Sequence, residues 1–233
     1  MNRWRRTHCA SGRRTSAGGK EYLQLLTDVR SFDERAKDWD ADLTKVERAH
    51  AIADAIVANV PLRADVTALD YGCGTGLLGF RLRPYIGDLT LADVSDGMLE
   101  VVRQKLAARA DVNARAVKLD LVSDPLPQRR FDLVCTAMTL HHIRDTDAML
   151  RRFAAVLGAA GYLCIADLDA EDGSFHGQGA DVQHGFDRQA LRESTVQAGL
   201  RVIRFVTAYT MEKMVGDVMR TYPIFLMVAQ KPA

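Results

Sequence analysis

The chain has 233 residues, 48% of them hydrophobic, and a formal net charge of +1. This size and composition predict one globular α/β domain with a full core and argue against two domains. No apolar run approaches the roughly 18 residues that a membrane-spanning helix needs, so we expect a soluble, cytoplasmic protein without a membrane span.

The basic charge is concentrated in residues 1–20, which hold six of the 31 Lys and Arg residues and no acid. The remaining 25 basic and 30 acidic residues make the rest of the chain mildly acidic, which argues against a nucleic-acid partner. We interpret residues 1–20 as a disordered basic tail. A mitochondrial targeting peptide has a similar composition and stays open as the alternative. The cysteines, Cys9, Cys73, Cys135 and Cys164, form no CxxC pair or zinc spacing, so we expect free thiols.

Two helical segments are predicted ahead of the first strand. Tyr22 to Trp39 is interpreted as a helical or partly ordered entry segment, because Phe32, Ala36 and Trp39 lie on one stripe. Lys45 to Asn59 follows as a helix that Pro61 closes. These segments make up an N-terminal region, residues 21–62, ahead of a catalytic domain at residues 63–233.

From Val66 onward, strand and helix patterns alternate, which predicts a doubly wound α/β fold. Strands are expected at Val66–Asp70, Leu89–Val94, Ala114–Leu119, Phe131–Thr136 and Tyr162–Leu168. Helices are expected at Leu77–Leu82, after Ser95, after Asp145 and at Asp187–Ala198. Leu200–Tyr209 and Ile224–Gln230 are predicted as an antiparallel edge pair, with a short helix or an ordered loop at Met211–Met219 between them.

The most informative stretch is VTALDYGCGTG, Val66 to Gly76. A buried strand ends in Asp70, and Gly72, Gly74 and Gly76 then alternate before a helix begins. Glycines suit a turn that needs positive φ and a close approach of a ligand to the backbone.

Two ligand classes use such a turn. Gly74, Gly76 and Gly79 satisfy the dinucleotide pattern GxGxxG, with Asp93 at the spacing of a ribose-binding acid. Asp70, however, would repel a pyrophosphate and attract an ammonium group. S-adenosylmethionine carries an ammonium and a sulfonium but no phosphate, so Asp70 favours it over a nicotinamide dinucleotide.

LDYGCGTG resembles the first motif of class I S-adenosylmethionine-dependent methyltransferases. From about Phe32 to Lys231 the chain is similar to the small-molecule type that includes ubiquinone and menaquinone biosynthesis enzymes. ADLDAEDGSFHG, HGFD and YPIFLM also resemble a less characterised bacterial and fungal branch. The resemblance implies a Rossmann-like, mostly parallel seven-stranded sheet with the last strand antiparallel. It also implies in-line transfer of a methyl group from S-adenosylmethionine to a small-molecule acceptor. The chain departs from DNA methyltransferases, because TAMTLH stands where an NPPY-type tetrapeptide would follow strand four.

Polar residues close the first four predicted strands, where ligands of open parallel sheets gather. Asp93 is placed to accept two ribose hydroxyls, with helix capping as the alternative. Met98 is expected on the adenine face or in the core. Asp120 and the backbone N–H of Leu121 resemble an adenine-binding pair, with a turn role as the alternative. The predicted cofactor-binding residues are Asp70, Gly72, Gly74, Thr75, Gly76, Asp93, Met98, Asp120, Leu121 and Thr136.

The acceptor is expected near TAMTLHHIRD, where His141 or His142 is a candidate general base and packing under the next helix is the alternative. Trp39 lies in FDERAKDWD, which resembles an N-terminal helix that closes over the site, so residues 21–62 are predicted to form a lid. Phe175, His184 and Phe186 are predicted to face the acceptor pocket. Acids and imidazoles in Asp167–His184 leave a metal site open, but strand four ends in Thr136 and not in an acid, so we expect none. A non-catalytic S-adenosylmethionine-binding module and a nicotinamide-dependent oxidoreductase stay open as alternative functions.

Overall fold

The computed structural model describes residues 29–177 and 180–233. The predicted basic tail and the first part of the entry segment lie outside the described residues. The described part of the chain starts in a short helix, α1 (29–35), which a 3₁₀ segment at Ala36–Ala41 follows. The remaining helices are α2 (Leu43–Asn59), α3 (Leu77–Leu82), α4 (Asp96–Arg109), α5 (Thr146–Val156) and α6 (Arg188–Gln197). The strands are β1 (Thr67–Tyr71), β2 (Asp88–Asp93), β3 (Ala114–Lys118), β4 (Phe131–Ala137), β5 (Leu157–Leu168), β6 (Arg201–Val215) and β7 (Val218–Gln230).

The seven strands form one sheet in the order β3-β2-β1-β4-β5-β7-β6. Strands β1 to β5 pair in parallel, and β7 runs antiparallel to both of its neighbours. The predicted fold class, a doubly wound and mostly parallel sheet with its last strand reversed, is confirmed. The strand order reverses between β1 and β4, and the crevice at the carboxyl ends of these strands is where such sheets bind ligands.

Two hydrophobic clusters cover the two faces of the sheet. Ile56 of α2 and Leu99 of α4 belong to one cluster, and Phe153 of α5 and Leu191 of α6 belong to the other. Full burial of such a side chain contributes about 1.5–3 kcal/mol, so the helices fix the sheet on both sides. The helices α2, α4, α5 and α6 each begin with a side-chain cap, from Asp42, Ser95, Asp145 and Asp187 respectively.

The prediction for Met211–Met219 is wrong. Instead of a short helix or a loop, β6 and β7 continue as one long hairpin whose pairing runs out to Val215 and Val218. Gly216, with φ of +60°, and Asp217 form the two-residue turn between them. Met214, Val218 and Met219 are exposed near this tip, so the segment lacks the in-and-out hydrophobic alternation by which a half-buried strand is predicted.

Three of the four cysteines lie within the described residues. Cys73, Cys135 and Cys164 are buried free thiols, and burial raises the pKa of each of them. No helix in residues 29–177 and 180–233 combines the length and apolar character needed to cross a membrane.

Candidate functional site

A cavity of about 1460 Å³ opens at the carboxyl ends of β1, β2 and β4, where the strand order reverses. Its wall includes Asp70 and Asp93, at the ends of β1 and β2, and Thr139, just after β4. Helix α2 and the 3₁₀ segment before it close the opposite side. The volume exceeds the roughly 300–1,000 Å³ of a typical single-ligand pocket, so the cavity has room for a cofactor and a second molecule.

The glycine turn after β1 forms the floor of this cavity. Gly72, Gly74 and Gly76 have φ values of +66°, +53° and +84°, as the sequence predicted. A Cβ atom on Gly72 would lie 2.3 Å from Cγ2 of Thr139, so a side chain does not fit there. A Cβ on Gly74 would have only Sδ of Met98, at 4.0 Å, within contact range. Apart from its chain neighbours, no other atom of the described residues lies within 4 Å of that Cβ position, so the backbone of Gly74 is open to the cavity.

Asp93 ties the glycine turn to the start of α4. Its Oδ2 accepts a hydrogen bond from the N–H of Gly74 at 2.8 Å, and its Oδ1 accepts one from the N–H of Ser95 at 2.9 Å. Burial raises the pKa of Asp93 above its ordinary value. Because each carboxylate oxygen has two lone pairs, both oxygens can still accept a hydrogen bond from a ligand. The local structural role and the predicted ribose-binding role are thus compatible.

Asp70 is a buried carboxyl group on the cavity wall. Its Oδ2 accepts a hydrogen bond from the N–H of Gly79 at 2.9 Å, and its Oδ1 has no hydrogen-bond partner within the described residues. A Cβ on Gly79 would lie 2.8 Å from that Oδ2, so only a glycine at this position lets the carboxyl group come so close to the backbone of α3. Burial raises the pKa of Asp70 to about 7, the charge of Asp93 adds to the effect, and the Gly79 hydrogen bond opposes it. A ligand cation at Asp70 would stabilise the ionised form.

Asp120 organises the turn after β3. Its oxygens accept hydrogen bonds from the N–H of Val122 and the hydroxyl of Ser123. The N–H of Leu121, predicted to meet a ring nitrogen, donates to the hydroxyl of Tyr71 at 3.1 Å. Asp120 lines the cavity, while Leu121 is buried beneath it.

Two acids, Asp33 and Asp40, hold the segment before α2 against α4 and the glycine turn. The sequence alone did not identify either of them as important. Oδ1 of Asp33 accepts hydrogen bonds from the hydroxyl of Ser95 at 2.5 Å and from the N–H of Gly97 at 2.8 Å. Asp40 accepts a hydrogen bond from Thr75 at 2.5 Å and pairs with Lys105 at 2.5 Å. Residues 33–40 are therefore anchored at both ends beside the cavity.

Trp39 lies on the cavity wall within this anchored segment. The ammonium group of Lys45 lies 4.2 Å from the centre of its ring, and the Phe32 ring packs edge-on against it at 5.9 Å. Phe32 also contacts the His142 ring, with centroids 5.6 Å apart. The aromatic side chains thus connect the N-terminal segment to the histidines after β4.

His141 forms a buried pair with Asp167 of β5. Nδ1 of His141 lies 2.7 Å from Oδ1 of Asp167, and the backbone N–H of His141 donates to Oδ2 of the same carboxylate. Nε2 of His141 is buried without a hydrogen-bond partner among the described residues. If Nδ1 donates to the carboxylate, Nε2 carries the free lone pair of a base.

Two further imidazoles pack around His141. The rings of His142 and His176 lie with their centroids 4.2 and 4.9 Å from that of His141. Burial, together with the neighbouring imidazoles, lowers the pKa of His142 to about 3. Burial, His141 and Lys213 lower the pKa of His176 to about 4. Both rings are therefore neutral at pH 7 and weak as bases. In residues 29–177 and 180–233, no group of three or more His, Cys, Asp or Glu side chains is placed to hold a metal ion.

The structure brings ten of the predicted site residues together on the cavity wall: Trp39, Asp70, Gly72, Gly74, Asp93, Met98, Asp120, His141, His142 and Phe175. The other six lie elsewhere. Thr75 and Gly76 continue the turn, Leu121 is buried, and Thr136 is buried inside β4. The prediction that Phe186 faces the acceptor is wrong, because its ring packs in the core with its centroid 6.5 Å from that of Phe225. An isolated β-bridge to Asp169, the residue after β5, holds Phe186 in this position. His184 instead lies close to Gly173.

The sheet order, its reversed last strand and the glycine turn facing an acid at the end of β2 define the fold of class I S-adenosylmethionine-dependent methyltransferases. Residues 68–161 match the family described as "Methyltransferase domain". The resemblance predicted from LDYGCGTG is confirmed.

Similar proteins agree with this assignment. An uncharacterised methyltransferase of Schizosaccharomyces pombe is 31% identical over 128 residues, which cover 52% of this chain and 45% of that protein. The ubiquinone/menaquinone biosynthesis C-methyltransferase UbiE of Shewanella woodyi is 34% identical over 109 residues, which cover 45% of this chain and 43% of that protein. The chain thus matches less than half the length of these relatives. A solved structure from Haloferax volcanii contains the Trm112 methyltransferase activator in complex with a methyltransferase. One chain of that structure matches this protein with a TM-score of 0.69 and 20% sequence identity, and the match covers 87% of this chain and 98% of that chain.

The family confirms the predicted cofactor, S-adenosylmethionine. The cavity fits it in three respects: a bare turn at Gly74, an acid at the end of β2 with free lone pairs, and a buried Asp70 carboxyl group with an unpaired oxygen.

We expect the affinity for adenosylhomocysteine, the cofactor without its methyl group, to rise about tenfold between pH 6 and pH 8. The Asp70 carboxyl group, with its pKa of about 7, loses its proton over this interval, and only the ionised form pairs with the ligand's ammonium group. Calorimetry at pH 6, 7 and 8 measures the effect. The Asp70→Asn variant should bind weakly and without the pH dependence. An equal pH dependence in both proteins would show that another group is responsible.

Proposed function

We propose that this chain transfers a methyl group from S-adenosylmethionine to a small-molecule acceptor. The observation that carries the proposal is the buried Asp70 carboxyl group, which faces the cavity beside the bare backbone of Gly74. An anion in this position disfavours a pyrophosphate and favours an amino-acid ammonium group. The nicotinamide alternative is weakened for the same reason.

In this proposal each cofactor-binding residue has one role. Asp70 attracts the ammonium group, and the backbone at Gly72 and Gly74 borders the methionine part. Asp93 accepts hydrogen bonds from the ribose hydroxyls, because two acceptor oxygens match two neighbouring donors. Met98 packs against the adenine ring, and Asp120 accepts a hydrogen bond from the adenine amino group.

When bound, the cofactor supplies an electrophilic methyl group that a nucleophile of the acceptor attacks in line. The chain's contribution is to hold the acceptor aligned in a pocket that excludes water. His141 is the proposed general base, since its Nε2 has no hydrogen-bond partner within the described residues and Asp167 orients the ring from the other side. The His176 ring packs beside the His141 ring, with centroids 4.9 Å apart.

The proposed function is tested with a metabolite extract and S-adenosylmethionine labelled on its methyl group. We expect the label to appear in a small-molecule fraction when the enzyme is present and to stay in the cofactor when it is absent. A protein that binds adenosylhomocysteine but transfers no label would be a non-catalytic binding module. Binding of NADH without binding of adenosylhomocysteine would favour an oxidoreductase.

We also propose that the described part of the N-terminal region, from α1 through α2, is a lid over the bound cofactor. The support is the pair of anchors at Asp33 and Asp40, which hold residues 33–40 against α4 and the glycine turn. Trp39, on the cavity side of this segment, would shield the cofactor from water.

The Gly97→Ala substitution is expected to weaken adenosylhomocysteine binding about tenfold, which corresponds to about 1.4 kcal/mol of binding free energy. The melting temperature should not fall. A Cβ on Gly97 would lie 2.8 Å from Cα of Asp33 and displace the segment, while alanine suits helix α4 better than glycine. Calorimetry measures the affinity, and trypsin cleavage at Arg35 reports release of the segment. Asp33→Ala should also weaken binding and expose Arg35 to trypsin. Glu100→Ala, at an exposed position on α4, should change neither the affinity nor the cleavage. Unchanged cleavage in Gly97→Ala would mean that the segment is not held by this contact.

A further inference from the structure

We propose that the acceptor carries an anionic group, a carboxylate or a phosphate, that Arg48 and Lys213 bind at the end of the cavity away from the cofactor. This inference rests on the proposed function and specifies the substrate class of the same site. The anion is an anchor that survives the reaction, and the methyl group is transferred to another atom of the acceptor.

Arg48 is a cation that has no acid partner among the described residues. It projects from α2 into the cavity and is partly buried. Within the described residues its guanidinium group forms no ion pair, and its one hydrogen bond is a weak contact of 4.0 Å from Nη1 to Sδ of Met211. Burial lowers the pKa of Arg48, while the charges of Asp42 and Asp167 oppose this without forming an ion pair with it. Burial of a guanidinium group without a partner anion costs free energy, because the group loses its contacts with water. A ligand anion beside Arg48 would offset this desolvation cost.

Lys213 brings a second cation to the same place. Met211 and Lys213 are two residues apart on β6 and therefore lie on the same face of the strand. Both line the cavity, Lys213 at its exposed mouth. The ammonium group donates to the backbone carbonyl of Phe175 and has no carboxylate partner in the part of the chain that the structure describes. Since Arg48 contacts Met211, the two cations border the same part of the cavity.

Some other cations near the cavity are paired with acids, whereas Arg48 forms no ion pair within the described residues. Lys45 pairs with Asp42 at 2.9 Å, and Lys105 pairs with Asp40 at 2.5 Å. Arg188, outside the cavity, has the two-pronged contact to Asp169 that a guanidinium group prefers, at 2.6 and 2.7 Å. Arg48 has no such partner, although Asp42 is close enough to influence its charge.

Charged side chains line much of the cavity. Asp70, Asp93 and Asp120 lie on the wall at the predicted cofactor end, and Arg48 and Lys213 add two cations that have no carboxylate partner within the described residues. His142 and His176 are neutral at pH 7, so they add no charge to that of the two cations. Ile52, Met138 and Phe175 contribute apolar surface to the wall. The acceptor that fits best is a small molecule with an apolar body and one anionic group.

The test measures binding with adenosylhomocysteine present, using three probes: phenylacetate, phenyl phosphate and the neutral phenylacetamide. We expect at least one anion to bind about tenfold more tightly than the amide, as expected for a charged hydrogen-bonded contact worth about 1.5 kcal/mol. Arg48→Gln should remove most of this preference, and Arg48→Gln with Lys213→Gln all of it. The comparison of phenylacetate with phenyl phosphate distinguishes a carboxylate from a phosphate acceptor. Arg63→Gln, an exposed arginine that pairs with Asp65 outside the cavity, is the matched control.

Two outcomes would overturn the proposal. One is that neither anion binds more tightly than the amide, or that the preference survives in the double variant. The other is that the labelled product from the metabolite extract passes through an anion exchanger at pH 7 unretained. Failure of the proposed function looks different: adenosylhomocysteine would not bind, or no label would be transferred, while the anion preference and its dependence on Arg48 would remain.

Discussion

The Asp93→Ala substitution is expected to weaken adenosylhomocysteine binding at least about 100-fold. Two charge-assisted hydrogen bonds to the ribose are lost, each worth about 1.5–3 kcal/mol, and a 100-fold loss corresponds to about 2.7 kcal/mol. Isothermal titration calorimetry measures the affinity directly. Transfer of labelled methyl groups should fall in the same variant.

The structural role of Asp93 requires a control for folding. The substitution also leaves the N–H groups of Gly74 and Ser95 without their acceptor, so circular dichroism and the melting temperature have to be measured alongside. Asp93→Asn keeps one acceptor oxygen and the shape of the side chain, and it should bind more tightly than Asp93→Ala. Asp88→Ala is the matched control, because Asp88 begins the same strand at its far end and pairs only with Arg115 and Arg129 among the described residues. Normal affinity in Asp93→Ala would refute the ribose-binding role.

The fold was predictable because its signals are local. Strands β1, β2 and β4 are short and mostly apolar, and β1 and β2 end at or next to the acids expected there, Asp70 and Asp93. The caps Ser95 and Asp145 precede helices whose buried residues lie on one face. Positive φ in the glycine turn was also predictable, because alternating glycines between a strand and a helix are typical of a turn that needs it.

The missed parts of the site depend on contacts between distant residues. Asp33 binds residues more than 60 positions later, and Arg48 contacts Met211, 163 positions away. No local pattern distinguishes an acid on a solvated helix face from one that reaches the start of another helix. The same limitation explains Phe175 and Phe186, two aromatic residues on one loop, of which one lines the cavity and the other packs in the core.

Gly79 illustrates how one residue can satisfy two patterns for different reasons. It completes GxGxxG, in which the third glycine is expected to allow close packing of helix and strand. Here it approaches the side chain of Leu91 and also Oδ2 of Asp70, to which its N–H donates. Gly79 therefore positions Asp70, and the negative charge of Asp70 disfavours a dinucleotide. The pattern of glycines alone does not identify the ligand, and the charge beside it does.

His141→Ala is expected to lower the turnover number about 100-fold or more, the usual contribution of a general base, while the affinity for adenosylhomocysteine changes little. Turnover is measured with the labelled acceptor fraction. Asp167→Asn should also lower turnover with little effect on KM, because an amide cannot accept the Nδ1 hydrogen bond in the same way and the ring loses its orientation. Asp167 is thus a positioning residue, and its effect should vanish when it is combined with His141→Ala.

His142→Ala is the matched control for the base. His142 lies beside His141 on the same 3₁₀ turn, but its pKa of about 3 makes it a weak base, so turnover should fall much less. Added imidazole should restore part of the activity of His141→Ala, since a small base can occupy the vacated space, and should leave His142→Ala unchanged. Full turnover in His141→Ala would mean that the acceptor loses its proton without help from the protein. The buried pair of His141 and Asp167 would then serve to join the end of β5 to the segment after β4.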